Sequence, residues 1–196
     1  MNKKIFLIRH GESISDVKGR YDGEYDDSLT ESGRENAERV AEKLSHEPID
    51  VIFSSVRIRA KETADILNEG RDLKIVLEAG LNERDIYGAF PELAKDLPEE
   101  EYRRLGELLA DREGIIPGVE SYSEFRDRVG NAFSEILKSG YSTIVIITHG
   151  GPIRSIFRDV LKLGEFKEVG NGAIIKLEVS ESGVQVTSMD SASLNV

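Results

Sequence analysis

The sequence predicts an α/β protein: a three-layer sandwich in which helices flank a mostly parallel central sheet. Short apolar runs at residues 5–8, 51–53 and 143–147 lack polar alternation, as strands covered on both faces require. Between them lie segments of helical period, with Ala37, Val40, Ala41 and Leu44 falling on one face of the first. The two patterns alternate along the chain, which is the signature of βαβ construction.

Each element has a local reason. Ile5 to Ile8 reads as a central strand, and Thr30 caps the helix that follows it. Asp50 to Phe53 is the second strand, a helix covers about 57–67, and Lys74 to Leu77 is the third strand. Pro98 and the acidic Glu99, Glu100 and Glu101 suit a helix start, with Tyr102, Leu105, Leu108 and Leu109 as its buried face. Ser121 and Glu124 have capping-box spacing ahead of Phe125, Val129, Phe133 and Ile136. Residues 143–147 carry the strongest strand signal, and 152–163 read as the helix after it. Residues 173–179 and 184–189 form a closing hairpin turned at Glu181-Ser182-Gly183. No repeat or linker interrupts the pattern, so residues 1–196 are expected to form one domain.

The bulk composition narrows the chemistry. Hydrophobic residues make up 39% and charged residues 32%, an ordinary globular balance. There is no cysteine, which excludes disulfides, thiolate zinc sites and a cysteine nucleophile. A net charge of −11 argues against nucleic acid and anionic membranes as partners. A small phosphorylated substrate remains compatible, because a few arginines reverse the field locally. The apolar run after Met1 is too short for a signal peptide, and no stretch has membrane-spanning length, so a cytoplasmic location is expected.

Only three histidines are present, and two share a setting. His10 follows the first apolar run and precedes Gly11; His149 follows the run 143–147 and precedes Gly150-Gly151. Ligands of open parallel sheets bind at the carboxyl ends of the strands, so both imidazoles are expected at one edge. Arg9 precedes His10, and Arg59 lies just past the second strand. Two arginines and two histidines in one pocket suit a multiply charged oxyanion. A neutral imidazole among them is able to attack phosphorus. His46, near a helix end, is accounted for by a charge–dipole contact.

The heptad Leu7-Ile8-Arg9-His10-Gly11-Glu12-Ser13 resembles the signature of the histidine phosphatase, or phosphoglycerate mutase-like, superfamily. Four further segments are similar to family motifs and occur in the family's order. They are Gly19-Arg20 to Thr30-Glu31-Ser32-Gly33, then Ser55 to Ala64, Leu81-Asn82-Glu83-Arg84 and Thr148-His149-Gly150-Gly151. The resemblance implies a phosphoglycerate mutase-like fold and a phosphohistidine at His10, with no metal and no organic cofactor. Arg9, Arg59 and His149 would hold the phosphoryl oxygens, and Glu83 would act as proton donor. Asp16, Asp22, Gly23, Arg84, Tyr87 and Gly150 fall at positions that line the phosphate or substrate. Glu12 is expected to orient the loop or an arginine.

The chain departs from the family in its acidic replacements. The family commonly has asparagine at Asp16 and a neutral polar residue at Asp22, and one residue fewer between Glu83 and Gly88. If Asp16 and Asp22 face the phosphate, a mildly acidic optimum follows. If they turn away, they accept bonds from Arg20 or backbone amides. Within the family, Gly150-Gly151 and Asn171 favour a phosphatase acting on a small metabolite, while Leu81 to Arg84 favours a mutase. Arg103-Arg104 reads as a solvated helical face and not as a mutase insertion. Two other classes are compatible with parts of this residue set. A metal site built from His10, Glu12, Asp16, Asp22 and His149 is opposed by the two arginines. A non-catalytic phosphate-binding module is the other.

Overall fold

The first strand, β1 (Lys3–Arg9), explains the layering. Ile5 and Leu7 point into one core cluster and Phe6 and Ile8 into another, and all four are buried. The same alternation recurs in β2 (Val51–Ser54) and β4 (Thr143–Thr148). Each large aliphatic side chain so buried contributes about 1.5–3 kcal/mol relative to exposure. The computed structural model describes residues 2–18, 26–85, 98–100, 103, 107, 111–114 and 118–195.

One face of the sheet is covered by α2 (Glu31–Lys43) and α3 (Ile58–Asn68), which bury Val40, Ala60, Ala64 and Leu67. The other face takes α4 (Tyr122–Lys138) and α5 (Gly150–Ser155) through Phe125, Val129, Phe133 and Ile153. Thr30 accepts from the Gly33 amide at the start of α2. Ser121 and Glu124 form the capping box of α4. A short helix, α1 (Ile14–Lys18), follows β1; the sequence reading did not anticipate it.

The sheet order is β3-β2-β4-β1-β5-β6, where β3 is Lys74–Leu77, β5 is Phe166–Ser180 and β6 is Gly183–Leu194. The first four strands in this order are parallel, and β5 and β6 are antiparallel additions at one side. This is the mixed, mostly parallel sandwich expected.

Two elements differ from the sequence reading. The closing hairpin begins at Phe166 because the Gly- and charge-bearing 167–172 stretch also pairs with β6, through a register shift between Val169 and Ile174. The expected helix over 152–163 is α-helical only to Ser155. It then widens into a π turn (Ile156–Val160), in which Leu161 N–H donates to Ile156 O. The consecutive residues Ile156 and Phe157 are both fully buried there.

Glu99, Glu100, Arg103 and Glu107 are helical, and Arg103 makes an exposed pair with Glu107 one turn on. The buried face expected of that helix, Tyr102, Leu105, Leu108 and Leu109, lies outside the described residues. Among the described residues, no helix is long and apolar enough to cross a membrane.

Candidate active site

Strand register brings the two histidines together. Arg9 pairs with Thr148 across β1 and β4, so His10 and His149 leave adjacent strands at the same level. Their ring centroids are 4.9 Å apart at 64°, and the His10 amide donates to Thr148 O. Ser54 of β2 pairs with Ile147 of β4, which puts Ser55 and the start of α3 beside them. Arg59, in the first turn of α3, is buried and donates from Nε to His10 Nε2 at 3.1 Å.

The nucleophile candidate has a defined tautomer. His10 Nδ1 is 2.7 Å from Gly11 O, and a carbonyl only accepts, so Nδ1 carries the proton and Nε2 the lone pair. Burial, then the charges of Arg59 and Arg9, lower the His10 pKa to about 3, against the pull of Asp16 and the Gly11 carbonyl. The ring is therefore neutral at physiological pH, as nucleophilic attack needs. His149 is likewise held neutral, by burial first and then by His10, Arg59, Arg57 and Arg9.

The loop carrying His10 rests on the start of α2 with no room to spare. A Cβ on Gly11 would lie 2.1 Å from Gly33 O, and one on Gly33 would lie 1.9 Å from Glu12 O. Glu12 accepts from the Thr30 hydroxyl at 2.6 Å and from the Thr30 amide through its own carbonyl. It therefore ties the loop to α2, one of the two roles expected of it.

A pocket of about 180 Å³ opens over His10, lined by Arg9, His10, Asp16, Arg59, Glu83 and Arg154 among others. A phosphoryl group fits it; most of a leaving group must lie outside. A larger groove of about 700 Å³ runs along the opposite end of the sheet past Lys3 and Gln185, away from both histidines. Arg9 donates to Val169 O and Asp16 Oδ1, both at 2.7 Å. Glu83 sits across the pocket, with Oε2 accepting from the Gly151 amide at 2.9 Å and Oε1 from the Arg84 amide at 3.0 Å.

Asp16 lines the pocket, yet its oxygens are engaged. Oδ2 accepts from the Ser13 amide and hydroxyl, and Asn171 Nδ2 approaches it at 3.4 Å. Burial opposes its ionisation, but His10, the Ser13 bonds and Arg9 outweigh that and hold its pKa below the ordinary carboxylate range. The Ser13 amide is a backbone amide of the kind the sequence suggested, Arg9 is a partner it did not, and Arg20 lies outside the described residues. Arg84 gives its amide to the site, while its side chain turns to Glu120 O and lies 5.8 Å from the Tyr122 ring. Gly150 lines the pocket. Asp22, Gly23 and Tyr87 lie outside the described residues.

Sequence reasoning did not single out Ser13, Ser15, Ser55, Asn82 or Arg154. Ser55 carried a usable signal, since it follows β2 as His10 follows β1 and His149 follows β4. Among the described residues, no three of His, Asp or Glu gather as metal ligands.

The ordered set of motifs and the matching strand ends agree with a sequence comparison in which the histidine phosphatase superfamily (branch 1) matches residues 5–191. The chain belongs to the histidine phosphatase superfamily. Within it, phosphoglycerate mutase-like protein 4 of Arabidopsis thaliana is 34% identical over 160 residues, 79% of this chain and 69% of that protein. Phosphoserine phosphatase 1 of Hydrogenobacter thermophilus is 32% identical over 158 residues, 79% of this chain and 74% of that one. The solved alpha-ribazole phosphatase of Shigella flexneri shares the fold, with a TM-score of 0.77, 22% identity and 98% of each chain covered. This histidine phosphatase fold thus has both phosphatases and mutase-like proteins among its relatives.

Proposed function

We propose that this protein is a cytoplasmic phosphomonoesterase of small phosphorylated metabolites, working through a phosphohistidine at His10 and formed by the whole chain as one domain. The observation that carries the reading is the neutral His10, whose Nε2 accepts from Arg59 Nε, in a pocket lined also by Glu83.

In the first step His10 Nε2 forms a bond to phosphorus as the ester P–O bond breaks, and Glu83 gives a proton to the leaving oxygen. In the second, water attacks phosphorus while Glu83 takes its proton, and the N–P bond breaks to release phosphate. Arg9, Arg59 and His149 neutralise the equatorial oxygens, whose charge peaks in the transition state. Each step uses groups this chain supplies.

A second reading is a mutase, favoured by the plant relative's name; there the phosphohistidine would return its phosphoryl group to another hydroxyl of the substrate. One assay separates the readings. Phosphorylated metabolites and an aryl phosphate are incubated with the enzyme, and both free phosphate and positional isomers are scored. Free phosphate, with acid-labile, base-stable label on the quenched protein, supports the phosphatase. Isomers without net phosphate release would replace it with the mutase. Substantial turnover by a folded His10→Ala protein would overturn both.

A further inference from the structure

His149 has only one hydrogen-bonded ring nitrogen among the described residues. Nε2 lies 2.8 Å from Ser55 Oγ, while the buried Nδ1 has no partner among them. The neighbours of Ser55 determine which nitrogen holds the proton. Val56 N–H points at an amide atom of Asn82 from 3.3 Å, and because an N–H only donates, that atom is the oxygen. Ser55 Oγ is 2.7 Å from the same oxygen, so the single hydroxyl proton goes to Asn82. Ser55 Oγ is left to accept, from the Arg57 amide at 3.3 Å and from His149. His149 Nε2 must then carry hydrogen, and in the neutral ring Nδ1 is a bare lone pair.

A dianionic phosphoryl group is also acceptor-only. Placed against a bare Nδ1, it gains no hydrogen bond and meets lone-pair repulsion. With one more proton, the same contact becomes a charge-assisted bond between imidazolium and oxyanion. We propose that Ser55 and Asn82 are positioning residues that hold His149 as the Nε2–H tautomer, so that the pocket takes up one proton together with a phosphoryl dianion and keeps it between Nδ1 and a phosphoryl oxygen. This rests on the phosphate-binding reading of the site above.

The surrounding charges set when the proton enters. Burial first, and then the charges of Arg59 and Arg57 from the start of α3 and of Arg9 from the end of β1, beside the neutral His10, disfavour an imidazolium in the empty pocket. The nearby carboxylates are occupied, Glu83 by the Gly151 and Arg84 amides and Asp16 by Ser13 and Arg9. Neither carboxylate bonds to Nδ1, so the hydrogen-bond acceptor it lacks comes with an incoming anion. A monoanionic ester reaches the same complex without uptake from solvent, since its own P–OH proton then bridges to Nδ1.

Nitrogen NMR of ¹⁵N-histidine protein tests this directly, because only three histidines need assignment. Sulfate serves as the probe, being an acceptor-only dianion that does not titrate near neutrality. The free protein should show His149 with Nε2 protonated and Nδ1 bare, and sulfate should convert it to the imidazolium. Sulfate affinity should fall about tenfold per pH unit on the alkaline side, as one linked proton requires. Ser55→Ala, and separately Asn82→Ala, which frees the hydroxyl to donate to Nε2, should admit the Nδ1–H tautomer and flatten that slope. Glu83→Gln should retain it.

An Nδ1–H tautomer in the free wild type, or a singly protonated His149 in the sulfate complex, would overturn the proposal. So would a slope unchanged in both Ser55→Ala and Asn82→Ala. If sulfate does not bind, the phosphate-site reading fails, and coupled uptake with it, while the free-protein spectrum still decides the tautomer.

Discussion

Glu83 and Gly151 fit together only because residue 151 has no side chain: a Cβ there would lie 1.9 Å from Glu83 Oε1, while the Gly151 amide donates to Oε2 at 2.9 Å. The obstruction is the end of a flexible side chain, so Gly151→Ala is expected to move Glu83 and spare the fold. Misplacing the proton donor should cost most when the leaving group is a poor one. Turnover of alkyl phosphates should fall about 100-fold, and that of an activated aryl phosphate only a few-fold. Glu83→Gln should give the same pattern. Equal losses on both substrate types would remove Glu83 from the acid's role.

Gly11 and Gly33 present the opposite case. Each would drive a Cβ into backbone, Gly11 into Gly33 O and Gly33 into Glu12 O, and backbone cannot swing aside. Gly33→Ala, which lies behind the His10 loop and does not line the pocket, should therefore destabilise the fold by about 2 kcal/mol or more, as overpacking does. It should also lower turnover, by displacing the His10 loop. Urea melts read the first effect and aryl phosphate hydrolysis the second; wild-type values in both would show that the two backbones separate easily.

This contact also shows what a sequence can and cannot disclose. The strands and the pairing of His10 with His149 were legible because apolar runs mark β1 and β4, and because parallel strands release their ligands at one edge. The approach of Gly11 to Gly33 is long-range packing, and no local pattern encodes it. Arg84 shows a second limit. Its position beside Glu83 suggested a substrate contact; in the fold its amide donates to Glu83, while its side chain reaches Glu120 O and the Tyr122 ring, partners that no local pattern announces. The short α1 escaped notice because its five residues are too few to display a helical period. Ser55 and Asn82 were visible as motif letters, but their role depends on a proton count that needs coordinates.

Asp16 was expected either to repel the phosphate or to turn away, and it does something between. It lines the pocket while accepting from Arg9 at 2.7 Å and from Ser13. Neutralising it should release Arg9 for the substrate, and an asparagine keeps an oxygen for the Ser13 amide. Asp16→Asn is expected to raise phosphate affinity about tenfold, equivalent to roughly 1.4 kcal/mol. Because its pKa is held below the ordinary range, the carboxylate stays ionised in the free enzyme at mildly acidic pH, and the acidic optimum suggested by the sequence should not appear. Inhibition by inorganic phosphate and pH–rate profiles of both proteins check this. An acidic optimum that disappears in Asp16→Asn would restore the repulsion argument.

The buried histidines also make the fold sensitive to acid, and the sign follows from where protons bind. His10 titrates near 6.5 when unfolded and at about 3 when folded, and His149 is displaced in the same direction. Below about pH 6.5 the unfolded chain therefore binds more protons than the native one, and stability falls as pH falls. Each ring contributes up to about 1.4 kcal/mol per pH unit once the unfolded form is fully protonated. For His10 the loss continues down to its folded value. Asp16, Asp159 and Glu165, whose pKa values are also lowered, add to the loss only at lower pH, where carboxylates begin to take protons. Between pH 6 and 5 the histidines should dominate, and two rings lose roughly 2 kcal/mol over that unit. Urea unfolding across this range compares wild type with a His10→Gln/His149→Gln variant. The wild type should weaken steeply and the double variant should hold nearly level; parallel slopes would mean that the native state protonates these rings without unfolding.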